Sequence, residues 1–584
     1  MVLRIAALLI ATVLATPLAA QQRAESTALA AVTAEFMKTR LDGGGAAGPS
    51  IERVREQAAA ARTVLATLGA IDTSKLSHDD AITHALLTFE AELQRDEERF
   101  FWLDFRVTPY ASPLARVLTA RFLSMPIGTP ADRLAYLDAL YALPRDIASH
   151  EARLRSQFAR GVVLPAAEIE LVAPFVKSII ADPASSAFAI SPARLASVAA
   201  PDRDAFRSAV DDAVRTAVVP AVERLAAYID GPYRAQAVAN VGVSQYPEGR
   251  EYYQYLIRRH TSLDLAPERI HQIGLDEIAR LERDLDAARV AAGFTGTFDE
   301  FRRYLKTDRR FFAKNSDEFG DIMMAAIRRI EPRVGEFFIR TPKAPYGVLR
   351  LDPSLEASMT FGFYQLPSAA EPRGLYRFNG SQPDQRSVLM ADALIFHELV
   401  PGHHFQMALR NENLQLSAFR RGASYTTFTE GWAEYASDLA GEMGMYADPY
   451  DRAGRLSMDL FLSSRLVVDT GMNALGWSRE RAMQYMRDHT FHSDGEIATE
   501  TLRYSTDIPG QALAYKMGAM KIHELRKRTA ERLGAAFDLR KFHDYLLEGG
   551  PMPLSVLEMH LACLGDEKHV DGFIPREGRG AARF

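Results

Sequence analysis

The sequence predicts a mainly α-helical protein with a few short strands. Three observations carry this. Apolar residues recur at helical spacing over most of the 584 residues. The strict alternation of a half-buried strand is scarce. Alanine and leucine, both strong helix formers, are enriched.

In chain order, Arg4 precedes an apolar run from Ile5 to Leu14, followed by Pro17, the small residues Ala19 and Ala20, and polar Gln21 and Gln22. These are the three parts of a secretory signal peptide. Residues 1–20 are therefore expected to be removed and the mature chain exported, to the periplasm in a bacterium. The run is too short to span a bilayer comfortably, so no membrane span is expected after cleavage. No cysteine follows it, which argues against a lipid anchor. Gly43–Pro49 reads as a flexible loop.

Helical periodicity then marks residues near 51–69, 79–104, 129–158, 203–228, 267–285, 317–338, 452–470 and 511–533. In 267–285, Ile270, Ile273, Ile278, Leu281 and Leu285 fall on one side with charges between them, and Pro267 suits the first turn. Residues 341–386 are rich in proline and glycine and read as loops. Tyr346–Leu351 and Leu375–Asn379 are the best strands within them. The chain divides into a helical region, 21–340, and a motif-bearing region, 341–584, expected to pack as one unit.

The formal net charge is -6, with no basic block or basic–aromatic stripe. Nucleic-acid binding has no support in such a sequence. The single cysteine, Cys563, excludes an internal disulfide. Its apolar neighbours suggest a buried, inert thiol.

Residues 397–404 read His-Glu-Leu-Val-Pro-Gly-His-His. Two imidazoles and a carboxylate at the end of an apolar helical run (Val388–Phe396, with Asp384 or Ser387 as cap) are the parts of a site for a zinc-activated water. The usual H-E-x-x-H helix puts its second histidine at i+4, and here Pro401 stands there. A proline at 401 cannot donate to the His397 carbonyl, so the helix must bulge or break. Such a distortion can swing His403 toward His397. In an unbroken helix His404 would share that face instead. Glu398 is the natural general base. A third ligand is needed. Glu430 and Glu434 lie one turn apart on the next helical run, so one could ligate while the other orients an imidazole.

The string His397 to Gln406 resembles the signature of the bacterial domain-of-unknown-function family 885, which is grouped with gluzincin-like zinc peptidases. The resemblance extends to Gly249–Tyr253, Pro267–Gly274, the segment with Tyr364, Pro367, Gly374, Tyr376 and Asn379, Glu430–Ala433, Arg465–Trp477, Glu500–Tyr504 and Pro509–Gly518. It thus covers roughly the whole mature chain. The resemblance implies a two-lobed helical, metallopeptidase-like fold with a deep central cleft. It also implies one zinc ion held by His397, His403 and Glu430, with Glu398 as base. Asn473 departs from the family pattern, where histidine is frequent at that place. Asparagine can donate but cannot act as an acid.

Tyr515 is the expected donor to a tetrahedral oxyanion, with Tyr504 second. Either could equally be a core tyrosine. Arg503 could grip a substrate carboxylate, or pair with Glu500 one turn earlier. Asn379 and its strand could pair with a peptide backbone. His489, His492, His560 and His569 show no ligand spacing. The expectation is an exported single-zinc hydrolase of short peptides. The alternatives are a zinc hydrolase of a non-peptide amide, or a binding or scaffold protein with a vestigial metal site.

Overall fold

The computed structural model describes residues 21–565 except 40–47, 111–112, 115–120, 123–124, 182–187, 189, 352, 357–360 and 369–370. The leader, most of the Gly43–Pro49 loop and His569 lie outside the described residues.

The protein is mainly helical, as the periodicity predicts. The helices that matter below are α1 (Ile51–Gly69), α2 (His78–Phe100), α3 (Pro130–Phe158), α4 (Ala166–Ala181), α5 (Gly249–Thr261), α6 (Pro267–Ala291), α7 (Ser316–Ile330), α8 (Ala391–Glu398), α9 (His403–Glu412), α10 (Thr426–Glu442), α11 (Pro449–Asn473), α12 (Asp494–Leu502) and α13 (Ala514–Leu533). Many begin where side chains can satisfy the free N–H groups of the first turn. Ser77 caps α2, Thr129 and Asp132 form a reciprocal capping box on α3, and Asp448 precedes Pro449 at the start of α11.

The run 203–228 is not one α-helix. It is helical over Arg203–Ala213 and Val219–Tyr228, with a π-turn at Val214–Val218 between. Pro220 has no N–H for the carbonyl four residues back, so the helix must change register there.

Three short strands form the one sheet among the described residues, in the order β1 (Tyr346–Arg350), β3 (Gly374–Phe378), β2 (Gly362–Gln365). β1 runs parallel to β3, with Tyr346 opposite Gly374; β2 runs antiparallel, with Gly362 opposite Phe378. β1 and β3 match the two expected strands to within a residue. β2 was not expected: at four residues, it is too short for an alternation to register.

Two large apolar cores hold the chain together. One gathers residues between Phe100 and Ile270 with Leu466, Leu513 and Met517. The other combines the first helices, through Leu29, Phe36 and Leu86, with residues from Met323 to Leu561, including Phe396, Phe405 and Trp432 from the motif region. Two glycine contacts set close helix crossings. A Cβ on Gly274 of α6 would lie 2.7 Å from Val467 Cγ2 of α11, and one on Gly431 of α10 would lie 2.6 Å from Gly518 Cα of α13. The second crossing draws the helix of Glu430 against the helix of Tyr515.

Cys563 is half-buried rather than buried; it follows the last turn of a short helix, Leu554–Ala562. Among the described residues, no helix is long and apolar enough to cross a membrane.

Candidate metal centre

The helix that carries the motif starts later than its apolar run suggests. Ser387 accepts a hydrogen bond from the Leu389 N–H at 3.1 Å, a local turn that delays α8 until Ala391. α8 then stops at Glu398. Leu399 leaves helical geometry (φ -116°, ψ -84°), the Val400–Pro401 bond is cis, and α9 opens at His403. The helix therefore breaks at the proline rather than bulging. Gly402 lies on the last turn of α8 so closely that a Cβ there would be 1.8 Å from the His397 carbonyl oxygen. From α10, the Trp432 indole N–H donates to the Pro401 carbonyl at 3.0 Å and holds the corner.

This break turns His403 toward His397. Their ring centroids are 4.6 Å apart, with the planes at 80°. Glu430 of α10 points at both: its Oε2 lies 3.5 Å from His397 Nε2 and 3.2 Å from His403 Nε2. One ligand atom from each of the three residues lies within 4.8 Å of the others. Glu430 Oε2 is buried and makes no hydrogen bond. A carboxylate oxygen left so, facing two imidazole nitrogens, is what a metal-ligand set looks like. Two nitrogens and one oxygen are a donor set that suits a divalent ion.

The surroundings orient this set. His397 Nδ1 lies 2.6 Å from Glu434 Oε1, and Arg455 of α11 donates to Glu434 Oε2 at 2.9 Å. The chain thus supplies the carboxylate–histidine pairing typical of ligating imidazoles, and fixes its tautomer. Burial pushes the His397 imidazole down, but the Glu430 and Glu434 carboxylates outweigh it and raise it to about 10. Glu430 is held well below the usual carboxylate range: burial raises it, but the two histidines dominate. Glu398 moves the other way. Burial raises it above its ordinary value, despite His397 and His403 nearby. A raised carboxyl group holds its proton more readily than an exposed one, the direction that favours a proton carrier.

His404 is turned away. Its Nδ1 pairs with the Tyr364 hydroxyl at 2.9 Å, and its Nε2 lies 3.0 Å from the Ala344 carbonyl. Burial lowers it to about 4, so it stays neutral. Tyr515 lies parallel to the His397 ring, 6.1 Å between centroids and 13° between planes. The Arg465 guanidinium sits 4.7 Å from its centroid. Burial, with the charge of Glu430, pushes its phenol up to about 12, so it remains a hydrogen-bond donor.

The other expected residues have partners of their own. The Tyr504 hydroxyl donates to Glu500 and accepts from Arg465 Nε at 2.7 Å. Arg503 Nη1 donates to Glu500 Oε1 at 2.7 Å, the ion pair weighed against a substrate role. Asn379 donates to the Glu356 carbonyl at 2.7 Å and accepts from the Ser381 N–H and hydroxyl. Asn473 is a fastener between segments. It accepts from the Val243 N–H at 2.9 Å and donates to the Tyr504 carbonyl at 2.7 Å. Sequence reasoning did not find Arg455 or the cornering role of Trp432. No local signal singled out Arg455, one of six charged residues in α11.

Fold and site together define a class: a helical protein with a His-His-Glu cluster between the two halves of a broken helix and a third helix packed against them. The chain belongs to the family described as "Bacterial protein of unknown function (DUF885)", whose model matches residues 39–561. No protein of curated function matches. A crystal structure of a presumptive lipoprotein from Colwellia psychrerythraea is similar, with 25% identity and a TM-score of 0.83, over 93% of this chain and 98% of that one. A presumptive lipoprotein of unknown function from Shewanella oneidensis shares the fold at 17% identity and a TM-score of 0.66, over 93% and 99%.

Proposed function

We propose that this protein is an exported, metal-dependent hydrolase of peptide bonds in short peptides, with one zinc ion held by His397, His403 and Glu430. The observation that carries the reading is the convergence of these three ligand atoms within 4.8 Å beside Glu398, the residue next to a ligand. A site built only to bind a structural ion has no use for that extra carboxylate. A divalent ion held by His397, His403 and Glu430 would supply Lewis-acid polarisation of the scissile carbonyl and lower the pKa of a water. Glu398 accepts the proton of the attacking water and passes it to the leaving amine. Tyr515 donates its phenol hydrogen to the developing oxyanion. Glu434 and Arg455 hold His397 in register throughout. Export is supported by the leader-like residues 1–20 and by relatives described as lipoproteins.

The test is metal analysis of the purified mature protein, with mass spectrometry of a peptide digest. One zinc per chain and chelator-sensitive cleavage are expected. Glu398→Gln should abolish turnover and leave the zinc bound. Turnover that survives this change overturns the mechanism.

A further inference from the structure

One cavity stands beside the site and has no role in the proposal above. It encloses about 200 Å³ and is walled by Phe312, Phe361, Tyr376, Leu394, Phe491 and His492. Its floor is α8, the helix that ends at the metal centre. Ala391 and Leu394 both line it. With Glu398 they are spaced i, i+3, i+7, so the three share one face of the helix. Leu394 and Glu398 are thus one turn apart, about 6 Å along the axis. Tyr376 links the two places: it lines the cavity, and its buried phenol is raised well above its usual value by burial and by the Glu398 charge.

The chemistry of the walls is selective. The aromatic faces of Phe312, Phe319, Phe361, Tyr376 and Phe491 form much of the wall, with polar and charged side chains such as Lys306, Arg386 and Glu496 on the rest; about 150 Å³ is already room for a benzene ring. Among the polar residues of the lining, His492 is the one whose buried side-chain nitrogens are left without partners. It is 94% buried, by its 6% exposure, and packs at a tilt against Phe461 with 3.9 Å between centroids. Neither ring nitrogen has a hydrogen-bond partner. An imidazole in that position loses its bonds to water without replacing them, a cost that a ligand with a polar tip relieves. Burial lowers its pKa, so it is a neutral ring with one donor and one acceptor.

We infer that this cavity is the side-chain subsite of the substrate and that it takes an aromatic residue, tyrosine above phenylalanine, next to the bond cleaved at the metal. The inference rests on the hydrolase reading, but the pocket can be tested without turnover. Zinc-loaded Glu398→Gln protein is titrated by calorimetry with the N-acetyl amides of tyrosine, phenylalanine and alanine. Tyrosine is expected to bind at least 10-fold more tightly than alanine. Ala391→Leu, which fills the floor, should erase that difference, and Met390→Ala, which opens the same wall, should keep it. His492→Phe should remove the advantage of tyrosine over phenylalanine. Equal binding of tyrosine and alanine, or a preference that survives Ala391→Leu, overturns the subsite. Absence of any Glu398-dependent cleavage in the wild type overturns the hydrolase reading instead.

Discussion

Replacing Glu434 with glutamine removes one charge and keeps the shape. The native carboxylate makes two buried, charge-assisted contacts, 2.6 Å to His397 Nδ1 and 2.9 Å from Arg455. Such bonds contribute about 1.5–3 kcal/mol each, roughly twice a neutral one. An amide oxygen still receives the His397 N–H, so about 1.4 kcal/mol is lost on that side. This is about tenfold in the metal dissociation constant, the lower end of what orienting partners of metal ligands contribute. On the other side Arg455 keeps Asp438, at 3.7 Å, and the nearby charge of Asp459. A buried charge stripped of its partner costs about 3–5 kcal/mol, so the metal-free protein should lose about 3 kcal/mol, the low end because Asp438 remains. The assay is chelator competition for zinc affinity, paired with urea unfolding of the metal-free chain. If stability falls while the zinc constant moves less than twofold, Glu434 serves the core alone and the orienting role is refuted.

Three further perturbations separate the parts of the site. Gly402→Ala places a methyl on the His397 carbonyl and should reduce zinc content at least tenfold; a fully loaded variant would show that the corner is slack. His403→Ala should lose the metal, whereas His404→Ala should keep one ion per chain and lower Tm, because Tyr364 and the Ala344 carbonyl lose their partner. Glu168 of α4 is fully buried, accepts from Ser505 and Thr506, and is raised by burial to about 8 from an ordinary 4.5. A raised carboxyl contributes stability that is complete below the unfolded value, near 4.5, and is lost as pH rises through about 8. Glu168→Gln should therefore gain stability over the wild type as pH goes from 5 to 9, by up to a few kcal/mol in urea unfolding; a constant difference would refute the linkage.

What the sequence made legible follows from how local each signal is. The long helices were readable because their apolar stripes repeat over many turns, as in α6 and α11. The start of α8 was misplaced because Val388 and Leu389 belong to the apolar run yet sit in a turn that the Ser387 hydroxyl stabilises. β2 escaped because pairing with β3, not its own pattern, makes it a strand. In the site, His397 and Glu398 were named by spacing, which left His403 and His404 open, and the family resemblance chose His403 and Glu430. The Glu430-or-Glu434 choice could not be resolved from spacing, since both face the same side of α10. The structure separates them by what stands behind: Glu434 is held by Arg455, and Glu430 faces the two imidazoles. That distinction depends on α11, which no local pattern near the motif reveals.

The choice between the adjacent histidines is also made from outside the motif. In an uninterrupted helix His404 would return to the face of His397 and His403 would point away. The break at Pro401 and Gly402 frees α9 from that register, but freedom alone selects neither ring. The selection comes from the small sheet. Tyr364 of β2 holds His404 Nδ1, the loop before β1 offers the Ala344 carbonyl to Nε2, and Gly374 of β3 leaves the room, since a Cβ there would be 2.2 Å from His404 Nδ1. With His404 taken up by the sheet, His403 is the imidazole left to face His397 and Glu430. The irregular proline-rich stretch before the motif thus acts on the His397–His403–Glu430 cluster by fixing the rotation of α9.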